Sequence, residues 1–369
     1  MRYGTARAAG LLIGFAADRI VGDPRRGHPV ALFGTAAAAL ESAWYRDARA
    51  AGVVHEIVLV GGVVALSAGA QIAGRPSGAI RGRGAVASAG PDRRRGGSAG
   101  GGNRGGCTGG RTAVAQRRSG LRAGLSTVVI TAVGTWIALG GTTLARTGRD
   151  MADRLEAGEL SSARAVLPSL CGRDPEVLDA DGLARAAVES IAENTSDATV
   201  APLVWGAIAG VPGVLGYRAI NTLDAMVGYR NERYRNFGWA AARVDDLANL
   251  LPARVSGALT VVLAPLVGGR PGDAWRAWRR DAGAHPSPNA GVAEATMAGA
   301  LGVALGGRTE YRHGTEMRPV LGDGRTPQVP DLRRAVRLSN GVQLAAAVAA
   351  AATAYALGRR RSARAELPA

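Results

Sequence analysis

Read for polarity alone, the chain alternates apolar runs with dense polar shoulders. Residues 8–17, AAGLLIGFAA, are apolar, and Asp18 and Arg19 follow at once. That run falls short of the roughly 20 residues a spanning helix needs, so it predicts a half-embedded or bundle-packed helix. No small-residue cleavage site follows in frame, which argues against a signal peptide. Residues 53–73, VVHEIVLVGGVVALSAGAQIA, approach a span, with His55 and Glu56 at its entry. Residues 124–145, GLSTVVITAVGTWIALGGTTLA, form the clearest span, and Trp136 inside it packs between helices. Further apolar runs occupy 198–217, 255–268, 291–306 and 341–357. Between them, residues 146–186 turn polar, and RDMADRLEAGELSSARAVLPSL keeps apolar positions at helical spacing. That stretch predicts a helical hairpin at the membrane surface. The pattern as a whole predicts an all-α fold, a polytopic membrane helical bundle with polar helical loops carrying the active site.

One stretch breaks the pattern. Residues 75–122 are rich in Gly, Arg and Ser and show no apolar period, so they predict a disordered linker. An RGG-like RNA-binding tail is the sharper reading of the same composition. The chain thus divides into N-terminal membrane segments (1–74), the linker (75–122), a membrane helical core (123–358) and a basic tail (359–369).

Composition sharpens this picture. Apolar residues make up 47% of the 369, yet aromatic residues only 4%. The apolar content is Ala, Val, Leu and Gly, as in membrane helices that pack through small residues. The formal net charge is +16. No lysine occurs anywhere in the sequence, so the basic side is all arginine. This excludes a P-loop lysine and a protein Schiff base, and with it that mode of PLP binding. The arginines flank apolar runs and do not interleave with stacking aromatics, which favours an anionic membrane surface over nucleic acid. By the charge rule, the basic 75–122 segment and the GRRRSARAE run after 341–357 both belong in the cytoplasm. The two cysteines, Cys107 and Cys171, form no CxxC or Cys/His cluster, so no zinc, haem or disulfide framework is expected.

The polar shoulders carry the candidate chemistry. GDPRRGHPV, with Arg25 and His28, reads as a solvated turn or as an anion-binding corner. In ESIAENTSD, Glu189, Glu193 and Asp197 recur every fourth residue and share one helix face, with Asn194 beside them. Like charges there repel unless a cation or an arginine relieves them. Oxygen ligands of this kind suit Mg²⁺. In NTLDAMVGYRNERYRNFG, Asn221 and Asp224 are one turn apart, and Arg230, Asn231, Glu232 and Arg233 come next. ARVDDLANLLPAR adds Arg243, Asp245 and Asp246. Ionisable residues beside membrane spans are costly and are functional hypotheses by default; structural Arg–carboxylate pairs are the bland alternative. Finally, Arg280 precedes His285 and Asn289, where Asn289 is a candidate N-cap for an anion-binding helix start, with Glu294 one turn in. LGDGR places Asp323 in a turn.

Taken together and in order, these strings resemble the adenosylcobinamide-phosphate synthase family, the CobD/CbiB membrane proteins of cobalamin biosynthesis. The resemblance rests on GDPRRGHPV, ARAAVESIAENTSDATVAPLVWGAIAGVPG, INTLDAMVGYRNERYRNFGWAAARVDDLANLLPAR, AWRRDAGAHPSPNAGVAEATMAGALGVALGG and LGDGR. It covers 14–34 and nearly all of 146–340, and the Gly/Arg-rich 75–122 departs from it. It implies an ATP-dependent amide ligase joining adenosylcobyric acid to (R)-1-aminopropan-2-ol or its O-phosphate. The cofactors it implies are ATP and Mg²⁺. The partners are the corrinoid, the amine, the lipid bilayer, and a further copy of the chain or another enzyme of the pathway, with no nucleic acid. The place is the cell inner membrane, multi-pass, with the functional loops in the cytoplasm. On this reading Glu189, Glu193, Asp197 and Asp224 are catalytic, the first three holding Mg²⁺, and Arg25, His28, Asn194, Asn221, Arg230, Asn231, Glu232, Arg233, Arg243, Asp245, Asp246, Arg280, His285, Asn289 and Asp323 meet substrate. The competing readings are an AmpE-like membrane signalling protein and a small-solute transporter; a transporter predicts two related halves, and the sequence shows no such repeat.

Overall fold

The computed structural model of the chain describes residues 3–24, 27–73, 108–229, 231–311 and 314–365. Arg25, Arg230 and the greater part of the predicted linker lie outside the described residues. The fold is helical, as the polarity pattern predicts. Helices α1 (Tyr3–Val21), α2 (Pro29–Trp44) and α3 (Arg49–Ala73) come first. Helix α4 then runs Thr108–Ala138, so residues 108–122 belong to a helix and correct the linker boundary. Their Ala, Gln, Arg and Leu are strong helix formers even without an apolar stripe.

The span expected at 124–145 lies within the apolar stretch Leu121–Glu156, but its helix is interrupted once. Helix α4 stops at Ala138, and α5 (Gly141–Glu156) restarts after Leu139 and Gly140. The Gly140 amide donates to the Ala198 carbonyl at 3.0 Å instead of to its own helix. The new helix start is capped from α1: Asp18 Oδ2 accepts from the Thr142 amide at 3.2 Å and its hydroxyl at 2.8 Å. The 198–217 run is also broken. Gly210 adopts φ 75°, a left-handed geometry that favours glycine, and splits the run into α8 (Ala201–Ala209) and α9 (Val211–Val227). The polar stretch gives α6 (Leu160–Val166) and α7 (Ala180–Thr195). Over 149–170, where the pattern predicts a helical hairpin, the end of α5 is followed by a turn and by α6, whereas α7 beyond it is mostly buried in the main core. A π-helical turn over Ser196–Val200 joins it to α8.

Beyond these come α10 (Tyr234–Phe237), α11 (Trp239–Leu263), α12 (Pro271–Asp281), α13 (Ala290–Leu301) and α14 (Val329–Ala365). The apolar run 291–306 ends as helix at Leu301, where Gly302 turns left-handed at φ 69°. The chain then forms an antiparallel hairpin that the pattern did not predict: β1 (Leu305–Tyr311) pairs with β2 (Gly314–Leu321). Among the described residues, four helical stretches are long and apolar enough to cross a membrane: Arg49–Ala73, Leu121–Glu156, Trp239–Val267 and Val329–Arg360.

Three contacts define one end of the bundle. Arg7 of α1 donates to the Gly206 and Ala207 carbonyls at 2.7 and 2.8 Å. Gln71, near the end of α3, accepts from the Val211 amide at 3.0 Å. Gly4 packs on Gly358 of α14. At the other end of the same helices, Gly52 meets Phe237, and Arg19 donates to Asn340 at 2.6 Å. Thus α3 runs antiparallel to α9, and α1 antiparallel to α14.

The α1–α4 seam is a small-residue contact. A Cβ built on Gly14 would stand 2.5 Å from the Thr135 Cβ and 2.6 Å from the Ala132 carbonyl oxygen. A Gly14→Val substitution is expected to force these helices apart and destabilise the protein by about 1–3 kcal/mol. Thermal unfolding of the detergent-purified protein measures this, and an unchanged midpoint would contradict the close seam.

Candidate functional site

A cavity of about 770 Å³ opens at the end of the bundle where α7, α9 and α11 converge with the β-hairpin. Helix α7 brings Glu189, Ser190 and Glu193 to its wall. The π turn brings Ser196 and Asp197, α9 brings Asp224, and the first turns of α11 bring Asp245, Asp246 and Asn249. The His285–Asn289 loop and Arg318 of β2 close the far side. The sequence-predicted residues Glu189, Glu193, Asp197, Asp224, Asp245, Asp246, His285 and Asn289 therefore share one cavity.

Their roles diverge within it. Glu189 is consumed by internal partners. Its Oε1 accepts from the Gly306 amide at 2.8 Å, and its Oε2 meets Arg173 and, at 3.3 Å, Arg318. The i, i+4 spacing placed Glu189 with Glu193 and Asp197 as one metal-holding set. The structure instead gathers Glu193, His285 and Glu294, whose donor atoms lie within 4.8 Å of one another. Glu294 is fully buried; its Oε1 accepts from Arg318 at 2.9 Å, while its Oε2 has no partner among the described residues. The His285 Nδ1 accepts from the Ser287 amide at 3.0 Å, which turns Nε2 toward Glu294 at 3.5 Å.

Electrostatics follow from this crowding. Burial pushes the Glu193 carboxyl well up, and the neighbouring Glu294 pushes it further. Glu193 lies deep below the outer surface, yet a third of its side chain (36%) faces the cavity, so cavity water tempers that shift. Burial also opposes ionisation of Glu294, but hydrogen bonds from His285 and Glu193 and the charge of Arg318 prevail and hold it low. The pair thus shares one proton, carried by Glu193. Burial raises Asp197, helped by Asp245 and Asp224. Asp224 is pushed up to about 7, first by burial and then by Asp245 and Asp246.

Other predicted residues lie elsewhere or act as scaffold. Asn221 and Asn249 donate to the two Asp245 oxygens at 3.4 and 3.0 Å. Asn194 bonds back to Ser190 within α7. His28 caps α2 by accepting from Val30 at 3.2 Å, and its Nε2 faces Asp23 at 3.6 Å. Arg233 grips Glu41 and stacks on Tyr45, with its guanidinium 4.2 Å from the ring centre. Asn231 accepts from the Tyr234 amide, and exposed Glu232 lines a separate surface pocket with it. Among the described residues, Arg243 reaches Asp246, at 3.8 Å. Arg280 spans Asp281 and Asp323 on the surface, away from the cavity lining. Asn289 does not cap α13: Ser287 Oγ accepts from the Asn289 and Ala290 amides at 3.3 Å. The Asn289 side chain instead joins Arg254 to the Asp246 carbonyl. Sequence reading passed over Arg318 and Arg173, which lie in segments without a helical period, and left Glu294 out of the site.

Asp224 yields a sign that solution work can read. Its folded value of about 7 lies above the ordinary 3.8, so between those values the folded protein keeps a proton that the unfolded chain has released. Stability then falls as pH rises through that window and levels off above it. In chelator, Asp224→Asn is expected to match the parent at the acid end and to be more stable at pH 8. Denaturation midpoints at both pH values test this; a variant less stable than the parent at pH 8 would refute it.

Comparison with known proteins places these residues in a lineage. A family model described as CobD/Cbib protein matches residues 11–89 and 104–339. Its omission, 90–103, falls inside the Gly/Arg-rich segment. Cobalamin biosynthesis protein CobD of Mycobacterium tuberculosis (strain ATCC 25618 / H37Rv) is 53% identical over 356 residues, covering 96% of this chain and 97% of that protein. The protein of the same name from Geobacter metallireducens is 46% identical over 220 residues, 59% of this chain and 69% of its own. That of Rhodobacter capsulatus is 49% identical over 189 residues, 51% of this chain and 59% of its own. No solved structure matches the chain.

Proposed function

The chain belongs to the CobD/Cbib family, and we propose that it closes the amide bond between adenosylcobyric acid and (R)-1-aminopropan-2-ol or its O-phosphate. It is an enzyme of cobalamin biosynthesis, in the adenosylcobinamide-phosphate synthase family. The observation that carries the reaction is the cavity that sets a proton-sharing Glu193–Glu294 pair and Arg318 opposite a purely acidic wall.

A carboxylate and an ammonium ion do not condense in water, because the leaving oxygen is too basic and the nitrogen is protonated. ATP, once bound, would supply a phosphoryl group that turns that oxygen into a competent leaving group. Arg318 holds the anionic propionate end by its guanidinium fork. Glu193, the more basic carboxyl of the pair, takes the proton of the incoming ammonium in its ionised form, and the Glu193–Glu294 pair then holds that one proton. The acidic wall of Asp197, Asp224, Asp245 and Asp246 offers only oxygen donors, which fit Mg²⁺; a bound ion would neutralise phosphoryl oxygens. A cavity of about 770 Å³ accommodates a drug-sized ligand. The propionate arm and the amine therefore enter it, and the corrin ring stays at its mouth.

Glu193→Gln keeps shape and removes a proton site. Turnover of adenosylcobyric acid by purified enzyme with ATP and Mg²⁺ is expected to fall by about a hundredfold or more, with expression and membrane insertion unchanged. Accumulation of adenosylcobyric acid in a deletion strain is the companion measurement. Normal corrinoid synthesis in that strain refutes the reaction, and normal turnover in Glu193→Gln refutes the proton role.

The long apolar helices make this a membrane protein. We place it in the inner membrane with the cavity facing the cytoplasm, where ATP is found. In a background lacking Cys107 and Cys171, Glu232→Cys at the cavity end is expected to react with impermeant maleimide in inverted vesicles. Ala363→Cys, at the other end, is expected to react in right-side-out vesicles. The reverse pattern overturns the orientation.

A further inference from the structure

Charge balance divides the cavity into two halves. At the His285 end, the carboxylates of Glu189, Glu193 and Glu294 meet Arg173, Arg318 and the imidazole itself. The Glu193–His285–Glu294 spacing suits a metal ion. A guanidinium already stands among those atoms, however, with Arg318 Nη2 2.9 Å from Glu294 and 3.9 Å from Glu193. This half carries its own cations.

The other half does not. Asp197, Asp224, Asp245 and Asp246 line it. Among the described residues, its guanidinium contact is Arg243 to Asp246 at 3.8 Å, from a side chain 61% exposed to solvent. Arg218 bears on Asp197 but is shared with Asp23. Behind this wall stands Glu56 of α3, which is 5% exposed, and neither of its carboxylate oxygens has a hydrogen-bond partner among the described residues. Among the helices that pack on α3 are α9 and α11, and the charges that bear on Glu56 are their Asp224 and Asp245. An ionised carboxylate buried without a partner is strongly disfavoured, and a second and third carboxylate beside it make matters worse. A cation from outside the chain relieves all three at once.

We propose that Glu56, Asp224 and Asp245 bind a divalent cation of the Mg²⁺ class, with Glu56 reaching it from the buried side. The donors are oxygens alone, as a hard cation prefers. The set is looser than the His285 cluster, in keeping with an ion that retains several waters and takes few carboxylates directly. A single ammonium leaves this half with more uncompensated charge than a divalent ion does. The proposal deepens the ligase reading by naming the ligands of its metal, and it rests on that reading only for what the ion does.

The test is Mn²⁺ binding to the full-length, detergent-purified protein, read by electron paramagnetic resonance without ATP or corrinoid. The parent is expected to bind Mn²⁺ and release it to Mg²⁺. Glu56→Gln and Asp245→Asn are expected to weaken Mn²⁺ binding by about tenfold or more, and Glu294→Gln by no more than about twofold. Asp245 faces the cavity, so its isosteric variant keeps the test open should Glu56→Gln fail to fold. A parent that binds no Mn²⁺, or a loss confined to Glu294→Gln, overturns the proposal. A parent that binds Mn²⁺ in this pattern yet converts no adenosylcobyric acid refutes the ligase reading and leaves the cation site standing.

Discussion

Arg318 is the contact on which the cavity depends. A hairpin strand carries it into a helical bundle, where it meets Glu189 of α7 at 3.3 Å and Glu294 of α13 at 2.9 Å. Glu294 is fully buried, and Glu189 nearly so. Neither could stay ionised there alone, because the desolvation cost of an unpaired buried charge far exceeds what packing returns. Together with Arg173, this guanidinium makes three carboxylates tolerable in one place and fixes the hairpin over the cavity. The Gly306 amide, also on the hairpin, closes the arrangement on Glu189 at 2.8 Å. The hairpin is held a second time just past β2, where the Gly322 amide donates to Asp281 at 2.8 Å.

The helices accommodate the cavity by breaking where a regular helix would carry side chains past it. The π turn at Ser196–Val200 changes the helical phase just after Glu193, so Asp197 leaves the face of Glu189 and turns toward Asp224 and Asp245. The break at Gly140 supplies an amide to Ala198 within that turn, and Asp18 caps the helix that restarts. The irregular backbone thus has partners for its polar groups, as non-helical backbone near membrane depth requires.

Much of this was legible in the sequence. The apolar runs located the helices, because amphipathic period and span length are local properties. The acids of ESIAENTSD and ARVDDLANLLPAR were recognisable as a shared site, because charges flanking apolar helices need a common reason. What was not legible depended on long-range geometry. The i, i+4 rule held for Glu189 and Glu193 as positions but not as roles, since nothing local reveals that Arg173 claims Glu189. Arg318 sits in a strand that interrupts a helical protein, and a single arginine there has no period to mark it. Glu56 was noted as the entry to a span. Its meaning depends on Asp224 and Asp245, more than 160 residues away in sequence.

The fold also sets two sequence expectations against each other. The chain leaves α3 at Ala73, and α14 reaches Gly358 beside Gly4; these points lie at the bundle end marked by Gly210, and α4 comes in along α1 from the same side, with Gly10 on Thr131 and Gly14 on Thr135. Asp224 is 13 residues along α9 from Val211, or about 20 Å at helical rise. The Arg-rich linker and tail therefore depart from the end opposite the cavity. If the spans cross fully, the linker and the acidic cavity cannot both face the cytoplasm. Arginine does not decide between them by count, because Arg46, Arg49, Arg233, Arg235 and Arg243 flank the cavity end as well. The charge rule weighs short loops near span ends and loses force when both ends are basic. The proposed reaction supplies the argument that the charge rule does not: if the site consumes ATP it opens where ATP is, and the basic linker then lies on the other side.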